Sequence, residues 1–427
     1  MLLSRNVAIL LGARVTMSAA RAIAGVITAL YLAAEGFSGV ELGELFLTVT
    51  LASAVMTSGI GLLADRVGNK IFLVTVPLLT AAAALVFGFS SSAPVLFVVA
   101  ALGSFGRGGG AGGGTVGPYR PAEAAMASRA VEAKARNTMF GRLTFASTLG
   151  AIGGGLIVGL VQPGQARGAA AVAGYRPAFL AAAFLAAFAG VIALGLRDTH
   201  SPERADDEDR RWYQRGFLPR RSWSILWRFW ITNGINGVAI GMIGPFMSYW
   251  FALRYGASPA SIGILFAVVN AATLISILSA APVAKRMGTV KAIVLARAIS
   301  GVLLVPMALS PTFGAAGAIY LVRMVAQRLG LPLRQSFVQG VADPREQASV
   351  AGLSNLPSQG TQAGTQVLAG YLFDEVNLAL PFELAAGFQL LNALAYSALF
   401  RRVRPVEERE ARPKEPGPSA QPEDGPP

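Results

Sequence analysis

Twelve stretches of roughly 20 or more mostly apolar residues run along the chain, each bounded by a short polar or charged segment. The first six lie near residues 7–33, 41–64, 71–89, 93–115, 138–161 and 178–196. The second six lie near 224–252, 260–283, 290–310, 314–336, 347–371 and 380–400. A bilayer core of about 30 Å is crossed by roughly 20 residues of α-helix. The pattern therefore predicts an all-α membrane protein with twelve transmembrane spans, numbered here in chain order. The first run, Val7 to Ala34, is too long for a signal-peptide core and reads as the first span. The spans group as a six-helix bundle over 1–196, a charged cytoplasmic linker over 197–223 and a second bundle over 224–400. Residues 401–427, rich in Pro, Glu and Arg, lack the apolar content to bury a core and are expected to be disordered.

Composition removes the soluble alternatives. Of 427 residues, 53% are hydrophobic and 14% charged, against about 25% charged in ordinary soluble domains. The 49 glycines suit close helix packing in lipid. With no cysteine, there is no disulfide, thiolate metal site or cysteine nucleophile. The net charge of +13 would suggest nucleic acid in a soluble chain. Here the cations instead mark topology. With both termini inside, 27 of the 36 Lys and Arg residues fall on cytoplasmic segments and helix feet, and three on outer loops. That asymmetry is the one loops of multi-pass proteins carry. It places the chain in the cell membrane with cytoplasmic termini and gives no support to a nucleic-acid partner.

The two halves repeat. At an offset of 220, Gly36, Ser38, Gly43, Leu45 and Phe46 meet Gly256, Ser258, Gly263, Leu265 and Phe266, and Ala64, Arg66 and Gly68 meet Ala284, Arg286 and Gly288. At 214, Pro118 and Arg120 meet Pro332 and Arg334; at 211, Gly141, Gly153 and Gly159 meet Gly352, Gly364 and Gly370. Order is kept while the offset shrinks, as changes in loop length produce. Parallel six-helix repeats are an architecture of secondary transporters.

Between spans two and three stands GLLADRVGNK, residues 61–70. It resembles the signature loop of the major facilitator superfamily, matching it at Gly61, Leu63, Ala64, Asp65, Arg66, Gly68 and Lys70, with Asn69 in place of a basic residue. In the second half, residues 281–291 are degenerate, with Lys285 at the acidic position. Gly68 suits a turn with positive φ, and Asp65 can face a helix N-terminus or a basic partner. The resemblance implies two pseudo-symmetric bundles rocking by alternating access and a loop that latches the cytoplasmic side in the outward-facing state. It also implies a monomer, and a central cavity lined by spans one, four, seven and ten. Gly141, Gly150 and Gly154 of span five have the spacing of the family's antiporter signature, but that signature's proline is replaced by Gly155.

Ionisable residues inside spans are functional candidates, and here the six are all arginines: Arg14, Arg21, Arg107, Arg297, Arg323 and Arg328. Arg14 and Arg297 lie near helix ends and can snorkel. Arg21, Arg107 and Arg323 lie deep, where substrate binding, gating and bonding to backbone carbonyls all remain open. No Asp or Glu is expected at mid-membrane, and His200, the only histidine, falls in the linker. Glu41 and Glu44 can carry a proton from outside or act as interfacial charges. Asn355, Gln359, Gln362 and Gln366 form one stripe on span eleven; at the 211 offset Thr144, Ser147 and Thr148 of span five meet Asn355, Ser358 and Gln359, and Asn233 and Asn236 add to span seven. Such residues line a cavity or bond helices together. Gly244-Pro245 offers a hinge in span seven, with Tyr249 and Trp250 above it.

These features lead to a secondary transporter exchanging a small-molecule substrate across the lipid bilayer, with no cofactor, no metal and no enzymatic activity. Proton-coupled efflux of small organic molecules is the first expectation, with the proton as coupling ion. An anionic metabolite or inorganic anion bound by Arg21, Arg107 and Arg323 is the alternative, since guanidinium pairs bidentately with carboxylate and phosphate. A non-transporting receptor on the same fold is a third.

Overall fold

The computed structural model describes residues 5–106, 117–132, 136–160, 172–197, 221–341, 350, 353–401 and 403. Its architecture is helical, and the helices follow the twelve apolar runs. Seven of them, among the described residues, are long and apolar enough to cross a membrane: Arg5–Ala34, Gly39–Gly61, Asn69–Phe89, Thr138–Leu160, Arg176–Ala193, Pro259–Ser276 and Thr289–Ala308. These are spans one, two, three, five, six, eight and nine. The other five are shorter, broken or more polar. Span four ends at Gly103, where Ser104 turns left-handed at φ 47°, and helix resumes at Arg120–Arg129. The single helix expected over 93–115 thus ends at Gly103, and residues 107–116, with six glycines around Ala111, lie outside the described residues. Span seven breaks between Ile243 and Met247, at the expected Gly244-Pro245. Span ten (Phe313–Val341) and span eleven (Leu356–Tyr371) carry the arginines and the amide stripe. Span twelve is Leu380–Phe400. The belt of the molecule is apolar outward, with Phe184 and Leu394 each 69% exposed.

The repeat seen in the sequence is a repeat of local structure. Gly36 and Gly256 both have positive φ, at 94° and 62°, as do Gly68 and Gly288, at 98° and 87°. Ser38 and Ser258 both cap the following helix, accepting from the N–H of Glu41 and of Ser261. Each pair lets a tight turn feed the next span at the same place in each half.

We call the side that carries the N-terminus and residue 68 the near side, and the opposite one the far side. On the far side the apolar core is continuous, from Ile27 and Phe46 of the first half to Phe246, Trp250, Phe266 and Phe382 of the second. Toward the near side it divides. One cluster, with Leu10, Leu73 and Met126, belongs to the first half, and another, with Phe229, Phe337 and Tyr396, to the second.

The far-side seal depends on glycine. A Cβ on Gly43 would meet the backbone of Gln366 and Val367, and one on Gly370 the backbone of Gly39, which joins span two to span eleven. Across the pseudo-symmetry, Gly155 and Gly263 press backbone to backbone, which joins span five to span eight. Gly43 and Gly263, two of the repeated glycines, therefore mark equivalent contacts between the halves. Hydrogen bonds from Gly39 N–H to Asp374 and from Thr50 Oγ1 to Gln366 Oε1 (3.2 Å) cross the same seam. A Cβ on near-side Gly59 or Gly360, on spans two and eleven, would meet no atom of another element within 4 Å among the described residues.

Candidate functional site

Between the halves lies a cavity of about 510 Å³. Span one contributes Arg21, which donates to Ser104 O at 3.0 Å where span four is interrupted. Arg120 reaches the wall beyond that interruption and is exposed. Span ten contributes Arg323 and Arg328 on one face, with Gln327 between them. Span eleven adds Gln359, Gln362 and Gln366, and span eight adds Asn270. Phe105, Ile243, Pro245, Met247, Phe266 and Tyr320 form apolar wall. Among the described lining residues four are arginines and none is acidic.

The four guanidiniums are not equivalent. Arg21 is held by Ser104. Arg323 is 6% exposed and donates to the Met324 sulfur at 3.6 Å, and its Nε has no acceptor among the described residues. A buried guanidinium is stable when its N–H groups are satisfied by acceptors, most strongly by oxyanions. This one faces a cavity of ligand size with a weak sulfur acceptor on one N–H group and, among the described residues, no acceptor on Nε.

The structure sorts the sequence-predicted residues. Arg21, Arg323, Gln359 and Gln362 share the cavity. Arg107 lies outside the described residues, as do the linker with His200 and the tail. Asn233 and Asn355 do not line the cavity: Arg334 donates to Asn233 Oδ1 at 2.7 Å and to Asn355 Oδ1 at 3.3 Å, which ties spans seven, ten and eleven together within one half. Thr148 donates to Thr144 O of its own helix at 3.0 Å, and Asn236 is half-buried outside the lining. Gly150 and Gly154 pack on the backbone of Val15 and Ala19 in span one, so these antiporter-spaced glycines serve helix packing. Glu41 and Glu44 are exposed on the far side, and Glu41 completes a capping box with Ser38. In the signature loop, Gly68 has the expected positive φ and donates its N–H to Ala64 O at 3.0 Å. Gly61 makes ordinary contact with Pro121, 3.8 Å from its virtual Cβ, and Lys70 is half-buried. The side chains of Asp65 and Arg66 lie outside the description.

Two arginines expected to snorkel are instead tied inside the bundles. Arg14 pairs with Glu123, whose side chain is 5% exposed. Glu123 lies on the 120–129 helix, beyond the apolar run of span four. Burial pushes its carboxyl above the usual carboxylate range, while the guanidiniums of Arg14 and Arg120 pull it back. Arg297 donates to Asn392 and stacks over the Tyr396 ring at 4.7 Å. From the sequence alone Glu123 reads as a loop charge, because it follows the apolar run. Removing one partner of a buried ion pair costs about 3–5 kcal/mol, because the other charge is left uncompensated. Arg14→Met should therefore lower the thermal midpoint of the detergent-solubilised protein, and Arg14→Met with Glu123→Met should recover most of the loss. A single mutant as stable as the parent would refute the structural role.

Comparison with known proteins agrees with this architecture. The sequence matches the Major Facilitator Superfamily profile twice, over residues 10–233 and 229–423. It is 22% identical over 386 residues to an uncharacterized membrane protein of Saccharomyces cerevisiae, covering 83% of this chain and 85% of that one. Among solved structures, a nucleoside transporter superposes with TM-score 0.69 at 14% identity, covering 93% of this chain and 99% of that one. The xylose transporter of E. coli, in an inward-open conformation, superposes with TM-score 0.69 at 12% identity, covering 94% and 98%.

Proposed function

This chain belongs to the major facilitator superfamily, and we propose that it is a secondary active transporter that moves an organic anion by alternating access. One observation carries the reading: the cavity between the halves is lined by Arg21, Arg120, Arg323 and Arg328, with no carboxylate among its described lining residues. Such a wall attracts anions and repels cations. Exposed Arg120 serves as an electrostatic funnel, while buried Arg323 serves as the anchor.

The far side is sealed by glycine contacts and a shared core, and the cores separate on the near side. With both termini in the cytoplasm, as the distribution of basic residues argues, this is an inward-facing state of a cell-membrane protein. The halves run over 1–196 and 224–400, joined by the 197–223 linker. The 61–70 loop, with Asp65, Arg66 and Lys70, would latch the near side in the opposite state. Proton-linked export of neutral or cationic molecules draws less support, because no lining carboxylate or imidazole is described that would carry the proton. Glu41 and Glu44 remain candidates only for a relay at the far-side surface.

Flux in proteoliposomes tests this. Radiolabelled organic anions should enter or exchange, lipophilic cations should not, and protein-free vesicles should do neither. Lipophilic-cation movement driven by a proton gradient would restore the exporter. Anion binding without flux in folded protein would favour the receptor.

A further inference from the structure

Among the described residues, three polar atoms of cavity-lining side chains are buried and have no partner: Arg323 Nε, Asn270 Oδ1 and Gln366 Nε2. Their residues are 6%, 3% and 0% exposed. Orphaned polar groups at that depth are costly, and three in one cavity suggest a ligand that completes them.

Two of the three stand together. Phe266 of span eight and Tyr320 of span ten touch, with ring centroids 5.8 Å apart. The two spans run in the same direction. Asn270 lies one turn beyond Phe266, and Arg323 one turn beyond Tyr320, both toward the near side. A guanidinium and a carboxamide therefore share the wall directly below an aromatic pair. The guanidinium only donates. The carboxamide donates or accepts according to how it is turned. A neutral oxygen that does both, a hydroxyl, suits that position; Gln366, whose Oε1 is already engaged by Thr50, offers its Nε2 N–H to any acceptor oxygen. The remaining wall, with Phe105, Ile243, Met247 and Phe266, offers apolar surface for a carbon body.

Resting on the anion reading above, we infer that the substrate is a hydroxylated, largely apolar organic acid. Its anionic group lies on Arg323, its hydroxyl on Asn270, and its hydrocarbon or aryl portion against Phe266 and Tyr320. A small polar hydroxy acid would satisfy the first two contacts and leave the apolar wall uncovered. An apolar acid without a hydroxyl would leave the buried amide of Asn270 unpaired.

Calorimetric titration of the full-length protein in detergent tests the assignment with three probes: phenyllactate, phenylpropionate (the same acid without the hydroxyl) and lactate. Phenyllactate should bind at least about tenfold more tightly than either of the others, since a site built to bond a hydroxyl discriminates against analogues lacking it. Asn270→Ala should reduce the preference for phenyllactate over phenylpropionate to within about threefold, and measurable phenylpropionate binding in this variant reports that the site has kept its fold. Asn270→Thr, which restores a hydrogen-bonding hydroxyl, should recover part of the preference. Equal affinity for phenyllactate and phenylpropionate in the parent protein, or a preference that survives Asn270→Ala, overturns the assignment. Binding of neither acid overturns it too. The anion reading itself falls only if dicarboxylates and inorganic phosphate also fail to bind.

Discussion

Arg323→Gln should weaken anion binding by about two to three orders of magnitude, or roughly 3–4 kcal/mol, the range for removing one partner of a buried, hydrogen-bonded charge pair. The effect should be large because Arg323 is 6% exposed and, among the described residues, makes no hydrogen bond to a protein oxygen, so a bound oxyanion there is its principal charge partner. Arg323→Lys should recover only part of the loss, since an ammonium restores the charge without the planar fork. Arg120→Gln should behave differently. That side chain is exposed at the cavity wall, where charge mainly steers encounter. It should slow association several-fold and flatten its salt dependence while leaving dissociation nearly unchanged. Stopped-flow binding of a fluorescent organic anion across a series of salt concentrations separates the two roles. Unchanged affinity in folded Arg323→Gln would remove the anchor, and with it the main support for anion transport.

Why was Arg323 legible in the sequence while other parts of the site were not? A charge inside an apolar run is conspicuous, because lipid offers it no partner; Arg21 and Arg323 both proved to line the cavity. The repeat was legible for a related reason. Glycines at Gly36, Gly68, Gly256 and Gly288 are required by positive φ, and at Gly43 and Gly263 by backbone contact, so drift in other residues leaves them in place. What the sequence concealed was the rotation of each helix about its own axis. The amide stripe of span eleven divides: Gln359, Gln362 and Gln366 face the cavity, whereas Asn355 is drawn to Arg334. Nothing in the spacing separates the two fates, since four residues apart reads as one helical face; in the structure the helix begins at Leu356 and Asn355 lies in the turn before it. Asn270 went unnoticed because one amide among apolar residues of span eight reads as a packing contact. The interruption of span four was also hidden. Its apolar content predicts a helix through the glycines, and the described helix stops at Gly103.

Gly43→Leu should displace the protein from the state described here. A Cβ at this position would already sit 2.5 Å from Gln366 O and 2.8 Å from Val367 Cα. Both are backbone atoms, so no rotamer change relieves the overlap, and a leucine extends it. Overpacking typically costs about 1–3 kcal/mol, and more where nothing can yield. Two rigid halves meeting at a seam respond by parting, because packed interfaces switch between arrangements and do not deform smoothly. The far side should then open in most molecules, a population shift of about 10- to 100-fold at 1.4–2.7 kcal/mol. Cysteines are absent from the sequence, so spin labels at Ser92→Cys and Thr312→Cys, on exposed far-side turns of opposite halves, report this distance alone. The labelled parent should give one short distance. Gly43→Leu should give a longer, broader one, and so should Gly263→Leu at the equivalent contact with Gly155. Gly59→Ala, where a Cβ meets nothing within 4 Å, should leave it unchanged. Apparent affinity for an anion supplied from the near side should fall by the same factor as the population, because only the near-side-open state can accept it. A distance that stays short in both leucine variants would mean that the glycine seam does not hold the far side closed, and that the shared apolar core does so by itself.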